Sequence, residues 1–317
     1  MAPRVPEAPR GTAEARIALI TDADAAAFRA LVYEKAAAGA RDLPWRRRPA
    51  DRAARGWFVL VSEVMLQQTQ AARVAPKFVL WMERFPDPES LAAAELSEIL
   101  GMWSGLGYNR RALALARAAA IIVERHGGSV PESEEDLRAL PGVGVYTARA
   151  VRAFAFGFPG AFLETNIRAV LIRHFFPGAE RVADRELEAV AEAVTDRAEP
   201  ARWHDALMDY GAELKRSEGN HARRSAAYRP QAPFAGSRRR IRGAILKAAL
   251  ETPGIGADAL YAALPFSRER IIEAADMLVA EGLLEKSPGS HDACGSHDAC
   301  GDAPPRYAVR SVISKKA

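Results

Sequence analysis

LPGVGVYTARAVRAFAFGFPGAFLETN, Leu140–Asn166, decides the reading of this chain. Leu-Pro-Gly-Val-Gly is a turn that opens a helix. Pro141 stops the preceding helix, and Gly142 and Gly144 allow backbone angles that a side chain would forbid. Such a turn aims successive N–H groups at one point, at the positive end of the next helix, and so makes an anion site for which phosphate is the obvious occupant. About twenty residues further on, a single carboxylate, Glu164, follows the apolar approach Ala161-Phe162-Leu163. A phosphate clamp followed at this spacing by an acid suggests chemistry on nucleic acid. The competing reading is a plain Pro/Gly helix linker with a surface glutamate.

Outward from this stretch the chain reads as helices joined by short turns. Thr21-Asp22-Ala23-Asp24 has the form of an N-cap for a helix running to about Ala38. Leu43-Pro44-Trp45 breaks it, and Arg46, Arg47 and Arg48 follow. Trp57–Phe85 is mostly helical and embeds Glu63 among Phe58, Val59, Leu60, Val61, Val64, Met65 and Leu66. A carboxylate in that setting is either paired or has a raised pKa, which suits a general acid; the alternative is a partly exposed Glu on an amphipathic helix. Gly105–Arg111 is a Gly-framed turn carrying Tyr108, Arg110 and Arg111, suited to stacking on a base and gripping phosphate; the alternative is a helix-linking turn with solvated arginines. Ala112–His126 is a helix closed by Gly127-Gly128, and Ser133 caps the helix that leads into the opening turn. Without β-α alternation, the class is mainly α.

Lys215–Pro230 is polar and basic and reads as a backbone-hugging tail; the alternative is a solvated loop. Arg238–Arg242 (RRRIR) opens a new segment: helices at Ile241–Glu251, Ala257–Ala263 and Ser267–Glu281, the last capped by Ser267, then a hairpin of 282–285 with 306–309. That is the winged-helix pattern, a module that binds duplex DNA or another protein. Its third helix carries Arg268 and Arg270. The hairpin tip repeats six residues, Gly289–Cys294 and Gly295–Cys300; a slipped duplication explains the identity better than a zinc site does. The expected organisation is a mobile tail at 1–20, a helical domain at 21–230 with its hairpin at 134–156, and a winged-helix-like domain at 236–317.

Charge and composition agree with such a partner without proving it. The 317 residues carry 44 Lys and Arg against 40 Asp and Glu, a formal net charge of +4, with 49% hydrophobic residues and two cysteines. No apolar run reaches membrane length, no leader pattern stands at the start, and two cysteines build no disulfide framework. A monomer in the cytoplasm, associated with the nucleoid, is the expectation.

LPW (Leu43–Trp45), SEVMLQQTQ (Ser62–Gln70), GLGY (Gly105–Tyr108), LPGVGVYTA (Leu140–Ala148) and MDYG (Met208–Gly211) fall in the order seen in another set of proteins. Over about residues 28–214 the chain resembles the MutY-type adenine DNA glycosylases of the helix-hairpin-helix, endonuclease III-like superfamily. The resemblance implies a two-lobed helical fold on double-stranded DNA, with the target base flipped out of the stack. It makes Glu63 the acid that protonates the leaving adenine, and Tyr146 and Asn166 the residues that line the pocket and orient the catalytic groups. Gln68 and Tyr108 become wedges around the opposite, oxidised guanine, and Gly142, Val143 and Gly144 the phosphate hairpin. Trp45, Arg46, Gln67 and Arg110 join the expected DNA contacts. Tyr146 occupies the position of the Schiff-base lysine of endonuclease III, and a phenol forms no imine, so a monofunctional glycosylase is expected.

Three departures from the family pattern stand out. The catalytic aspartate falls on Glu164, one methylene longer. The four cluster cysteines that should follow Met208–Gly211 are missing, so no iron–sulfur cluster is expected, the cofactor list shrinking to a monovalent cation at the hairpin 142–144. The usual C-terminal reader of 8-oxoguanine is replaced by the winged helix, for which repair proteins are the expected partners. The resemblance thus implies a base-excision hydrolase acting on adenine opposite 8-oxoguanine or guanine. The same reaction on uracil, thymine or hypoxanthine is the first alternative, and a non-catalytic lesion-binding protein the second.

Overall fold

The computed structural model describes residues 20–230, 237–288 and 304–311. The N-terminal tail through residue 19 and the duplicated loop 289–300, with Cys294 and Cys300, lie outside them. The chain folds as two compact units, one built from residues up to Glu63 with 131–139 and 143–230, the other from 64–130, 140–142 and 231–317. The second takes in the segment expected to stand alone at 236–317. No helix among the described residues is long and apolar enough to cross a membrane.

Local signals set the helix ends. Helix α1 (Asp22–Ala38) starts at a reciprocal Thr21/Asp24 capping box. After a 3-10 turn at Pro44–Arg46 comes α2 (Arg52–Leu66) and then α3 (Ala71–Arg84). The stretch read as one short helix at Pro88–Leu100 is two, α4 (Pro88–Ala92) and α5 (Leu96–Trp103). Helix α6 (Arg110–His126) ends on Gly127 in the left-handed region, φ 59°. Helices α7 (Glu134–Ala139) and α8 (Val145–Phe156) enclose the opening turn and together span the hairpin expected at 134–156. Ser133 Oγ accepts the Asp136 N–H at 3.0 Å, as its capping role requires.

In the first unit α9 (Thr165–Phe175) and α11 (Pro200–Ser217) form the central pair, with α10 (Asp184–Val194) beside α9 and α1 against α11. Phe28, Trp57, Trp203, Phe176 and Leu171 are buried there, and Phe28 meets the Trp203 ring edge-on at 6.1 Å. The MDYG motif gains its reason here. A Cβ on Gly211 of α11 would lie 2.4 Å from the Asn166 carbonyl oxygen of α9, so only glycine lets the helices approach this closely.

In the second unit Trp81, Phe85, Trp103, Leu91 and Leu115 form the core under α3 to α6. The C-terminal segment adds α12 (Arg238–Glu251), α13 (Ala257–Ala263) and α14 (Arg268–Ala280). Its sheet has the order β1-β3-β2, all antiparallel: β1 Ile255–Gly256, β2 Leu284–Ser287 and β3 Arg306–Val309. The two-residue β1 is an addition to the expected hairpin. Ser267 holds the N-cap position of α14 but makes no capping bond to the backbone there. Helices and sheet follow one another in winged-helix order.

Gly211→Ala tests the close helix pair. The added methyl must push α11 from α9, an overpacking cost of about 1–3 kcal/mol, read as a lower urea midpoint with an unchanged slope.

Candidate active site

Glu63 lies near the end of α2, 4% exposed, its neighbours Leu60, Val61 and Val64 all buried. Burial pushes its carboxyl up from an ordinary 4.5 to about 7, against the lowering effects of a hydrogen bond from Tyr146 and the charge of Arg48; Asp205 and Glu164 push it further up. The Tyr146 hydroxyl donates to Glu63 Oε2 at 3.0 Å. The phenol itself is raised well above its ordinary value by burial and by the Glu63 and Glu164 charges, so it stays a donor. Tyr146 meets Phe162 edge-on at 5.5 Å, and Phe162 stacks on His204 at 4.0 Å. Burial holds His204 down to about 4, a neutral ring whose Nδ1 lies 2.8 Å from the Pro200 carbonyl. Glu63 therefore sits among apolar neighbours and the Tyr146 hydroxyl, with the charges of Arg48, Asp205 and Glu164 acting on it.

Glu164 is held in the opposite way. It is the N-cap of α9: Oε1 accepts the N–H groups of Asn166 at 2.6 Å and Ile167 at 2.8 Å, and Oε2 accepts Asn166 Nδ2 at 3.2 Å. Short side chains normally fill this position; the longer Glu folds back to reach the same donors. Asn166 thus orients the acid directly. The sequence reading missed Lys215. Expected in a DNA-hugging tail, it sits half-buried on α11; burial lowers its ammonium while the Glu164 charge raises it.

Two expected DNA contacts turn out to be internal. Trp45 is 7% exposed. Arg46 pairs with Asp209 at 2.6 Å and Asp205 at 3.2 Å, so its charge is already answered inside the protein. Arg48 likewise pairs with Asp205 at 2.8 Å and covers the Phe154 ring.

The second unit gathers the other expected DNA residues on two turns. Gln68 (φ 52°) and Tyr108 (φ 50°) are the non-glycine residues with left-handed backbone among those described. Such backbone costs about 1–3 kcal/mol per residue and collects at functional positions. Arg111, read as a phosphate grip, points inward instead: Nη1 donates to the carbonyls of Val64, Met65 and Gln67, and Nη2 to Thr69 Oγ1 and the Gly107 carbonyl. It ties the Gln68 turn to the Tyr108 turn. Arg110 is exposed, with Glu281 at 3.9 Å.

At the hairpin, Gly142 has φ 81° and Gln67 Nε2 donates to its carbonyl at 3.1 Å. Gly144 departs from the sequence reading. Its backbone is extended (φ −92°, ψ 179°), open to any residue, and a Cβ there would meet nothing within 4 Å. It stands at the N-cap of α8 with an exposed backbone, while Val143 is buried.

An iron–sulfur cluster does not fit the segment after α11. That segment closes on itself: Arg224 donates to the carbonyls of Phe176 at 3.2 Å and Ala179 at 2.9 Å, and Ser225 bridges to Val182. Its side chains offer guanidinium, hydroxyl, imidazole and carboxylate groups where a cluster needs thiolates. Among the described residues no three or more His, Cys, Asp and Glu side chains come together to hold a metal ion.

Residues 61–196 match the model of the HhH-GPD superfamily base excision DNA repair protein. The chain is 36% identical over 267 residues to the adenine DNA glycosylase of Mycolicibacterium smegmatis, covering 78% of this chain and 89% of that one. It is 40% identical over 181 residues to the human adenine DNA glycosylase, covering 55% of this chain but 33% of the human one. A solved thermostable thymine-DNA glycosylase superimposes with a TM-score of 0.55 at 27% identity, over 61% of this chain and 88% of that one. Endonuclease III in a non-covalent DNA complex shares the fold, with a TM-score of 0.50 at 20% identity over 67% and 91% of the two chains. A chain that carries these motifs and spans nearly the whole mycobacterial relative at this identity belongs to the MutY-type branch of the HhH-GPD base excision repair superfamily, and is a DNA N-glycosylase.

Proposed function

We propose that the chain removes adenine mispaired with 8-oxoguanine or guanine. The carrying observation is the buried Glu63 carboxyl, pushed up to about 7 beside the Tyr146 hydroxyl. Adenine is a poor leaving anion and needs a proton as the bond to the sugar lengthens, and an acid with a pKa near the working pH is best matched to give it. Glu63 donates that proton. The C–N bond breaks with its electrons going to the base, and water adds to the sugar carbon and gives up a proton that restores the Glu63 acid through solvent, leaving adenine and an abasic site. Glu164 faces the developing sugar cation or holds the water, as paired carboxylates do in glycoside hydrolysis. The relatives named adenine DNA glycosylases support this substrate. The similarity to a thymine-DNA glycosylase keeps pyrimidine removal as the second reading.

Three further properties complete the proposal. The hairpin N–H groups at 142–144 take a DNA phosphate, with a monovalent cation at the same turn. Tyr146 in place of a lysine leaves no imine route to strand cleavage. The chain works without an iron–sulfur cluster, its place filled by the Arg224 hydrogen bonds.

Single-turnover excision from duplexes holding A, U, T or hypoxanthine opposite G, 8-oxoguanine, C and T tests the substrate; release of a pyrimidine alone would transfer the reading to the second substrate. Glu63→Gln abolishes adenine release, and the wild-type rate falls as pH rises through about 7. The same carboxyl sets a stability trend. Between 4.5 and about 7 the unfolded chain has lost this proton and the folded chain keeps it, so wild-type stability falls across that window. Glu63→Gln escapes the fall and is the more stable protein at pH above 7. A flat rate profile in wild type would sink the general-acid role.

Glu164→Asp keeps a good cap and a carboxylate, and retains activity within about tenfold, whereas Glu164→Gln loses about 100-fold or more. Equal activity in Glu164→Gln would reduce Glu164 to a cap. Purified protein with an absorption band at about 400 nm would overturn the cluster-free proposal.

A further inference from the structure

The winged-helix pattern directs attention to its third helix, α14, as the element that meets DNA. The charges point elsewhere. Along α14, Arg268 and Arg270 are outnumbered by Glu269, Glu273 and Asp276. Arg268 pairs with Asp258 at 3.5 Å, Glu273 with Arg238 at 2.9 Å and Asp276 with Lys286 at 3.1 Å. Ile272 and Met277 are exposed on the same helix. A phosphate strand would meet carboxylates and apolar side chains there.

Helix α12 has the opposite character. A cavity of about 450 Å3 is lined by Arg239, Arg240 and Lys247 of α12, by Arg73 of α3, and by the two strained turns that carry Gln68 and Tyr108; no carboxylate contributes to its wall. Arg239 donates to the Tyr108 hydroxyl and covers its ring at 5.1 Å from the centroid. Arg111 covers the same ring at 5.4 Å, so two guanidiniums hold the Tyr108 side chain. Arg73 and Arg240 are exposed and form no ion pair with a carboxylate among the described residues. The Lys247 pair with Glu251, at 3.7 Å and largely exposed, is of the weak surface kind.

We propose that this cavity is a DNA-strand subsite: the C-terminal segment grips a backbone phosphodiester through α12, beside the point where Gln68 and Tyr108 enter the stack, and leaves α14 off the DNA. The inference rests on the proposed excision from DNA and on the wedge role that the family resemblance implies for Gln68 and Tyr108. Arg240, Lys247 and Arg73 supply charge to the strand. Arg239 is a positioning residue that acts through Tyr108. The winged helix thereby becomes part of the DNA grip at the lesion, without presenting the helix that such modules usually insert in the major groove.

The test measures affinity against salt concentration, on a duplex with a tetrahydrofuran abasic analogue opposite guanine. This probe needs no base excision, so it reads binding whichever base the enzyme removes. Arg240→Gln with Lys247→Gln should lower the magnitude of the log–log salt slope by about 2 and weaken binding about tenfold or more at about 0.15 M salt. The charge-keeping pair Arg240→Lys with Lys247→Arg should restore both. Arg268→Gln with Arg270→Gln should leave slope and affinity unchanged, with thermal melting confirming that each variant is folded. An unchanged slope in the α12 variant, or an equal drop in the α14 variant, would overturn the proposal. The expected slope difference between wild type and the α12 variant, together with a wild type that releases no adenine, would overturn the substrate reading alone.

Discussion

The structure of the first unit turns on keeping one carboxyl out of water. Isolating an ionised carboxylate in an apolar setting costs far more than a protein's net stability, so the group answers by holding its proton. Burial is the largest influence on Glu63 and outweighs both the Tyr146 hydrogen bond and the Arg48 charge, which act the other way. The ion pairs around it fit that balance. Left alone, Arg48 would favour the carboxylate and spend the proton that an acid must deliver. Asp205 takes hold of Arg48 and of Arg46, and its own charge pushes Glu63 upward. Asp209 holds Arg46 from the other side. Arg46 and Arg48 are thus answered by carboxylates inside the protein, whereas Arg47 between them is exposed and pairs with Asp42 at the surface.

The second carboxylate shows how one residue type serves the opposite need. Glu164 accepts three hydrogen bonds from N–H donors at the start of α9, where the helix dipole also favours negative charge. Burial sets Glu63 apart, whereas Glu164 is placed by the N–H groups it accepts from. The extra methylene relative to the family aspartate is absorbed by the fold-back onto Asn166 and Ile167. Placement is therefore fixed by backbone donors and depends less on side-chain length than the sequence suggests. Gly211 secures the same point from behind, since its lack of a Cβ lets α11 come up against the Asn166 backbone.

Much of this was legible in the sequence where the deciding forces are local. Caps at Thr21 and Ser133, the stop at Gly127 and the hairpin turn depend on residues within a few positions of each other, and the helices stand where those residues indicate. Glu63 was legible because its apolar neighbours are its own helix. The direction of an arginine was not. Arg46 finds Asp209 across 163 positions, and Arg111 finds the Val64 carbonyl across 47, so a cation beside a motif looked like a surface grip when its partner lay inside. Gly144 illustrates the same limit in the backbone. A glycine in a turn suggests a forbidden angle, yet this one is extended and exposed. The two-residue β1 was hidden because its pairing with Tyr307 and Arg306 is supplied by β3, some fifty residues away.

The inward turn of Arg111 explains how the second unit tolerates its strained turns. Left-handed backbone at Gln68 and Tyr108 would relax if the chain were free, because neither residue favours it. Arg111 removes that freedom. Its guanidinium, held by burial down to about 10 and still charged at neutral pH, donates to main-chain carbonyls on both turns at once. Trp103 Nε1 adds a bond to the Gly107 carbonyl at 3.0 Å. A charged donor bonded to several carbonyls contributes more than neutral bonds would, enough to offset strain of this order. Facing inward, the arginine presets the backbone from which the Gln68 and Tyr108 side chains project. The half-buried cation thereby keeps both turns in a backbone conformation that neither would hold alone.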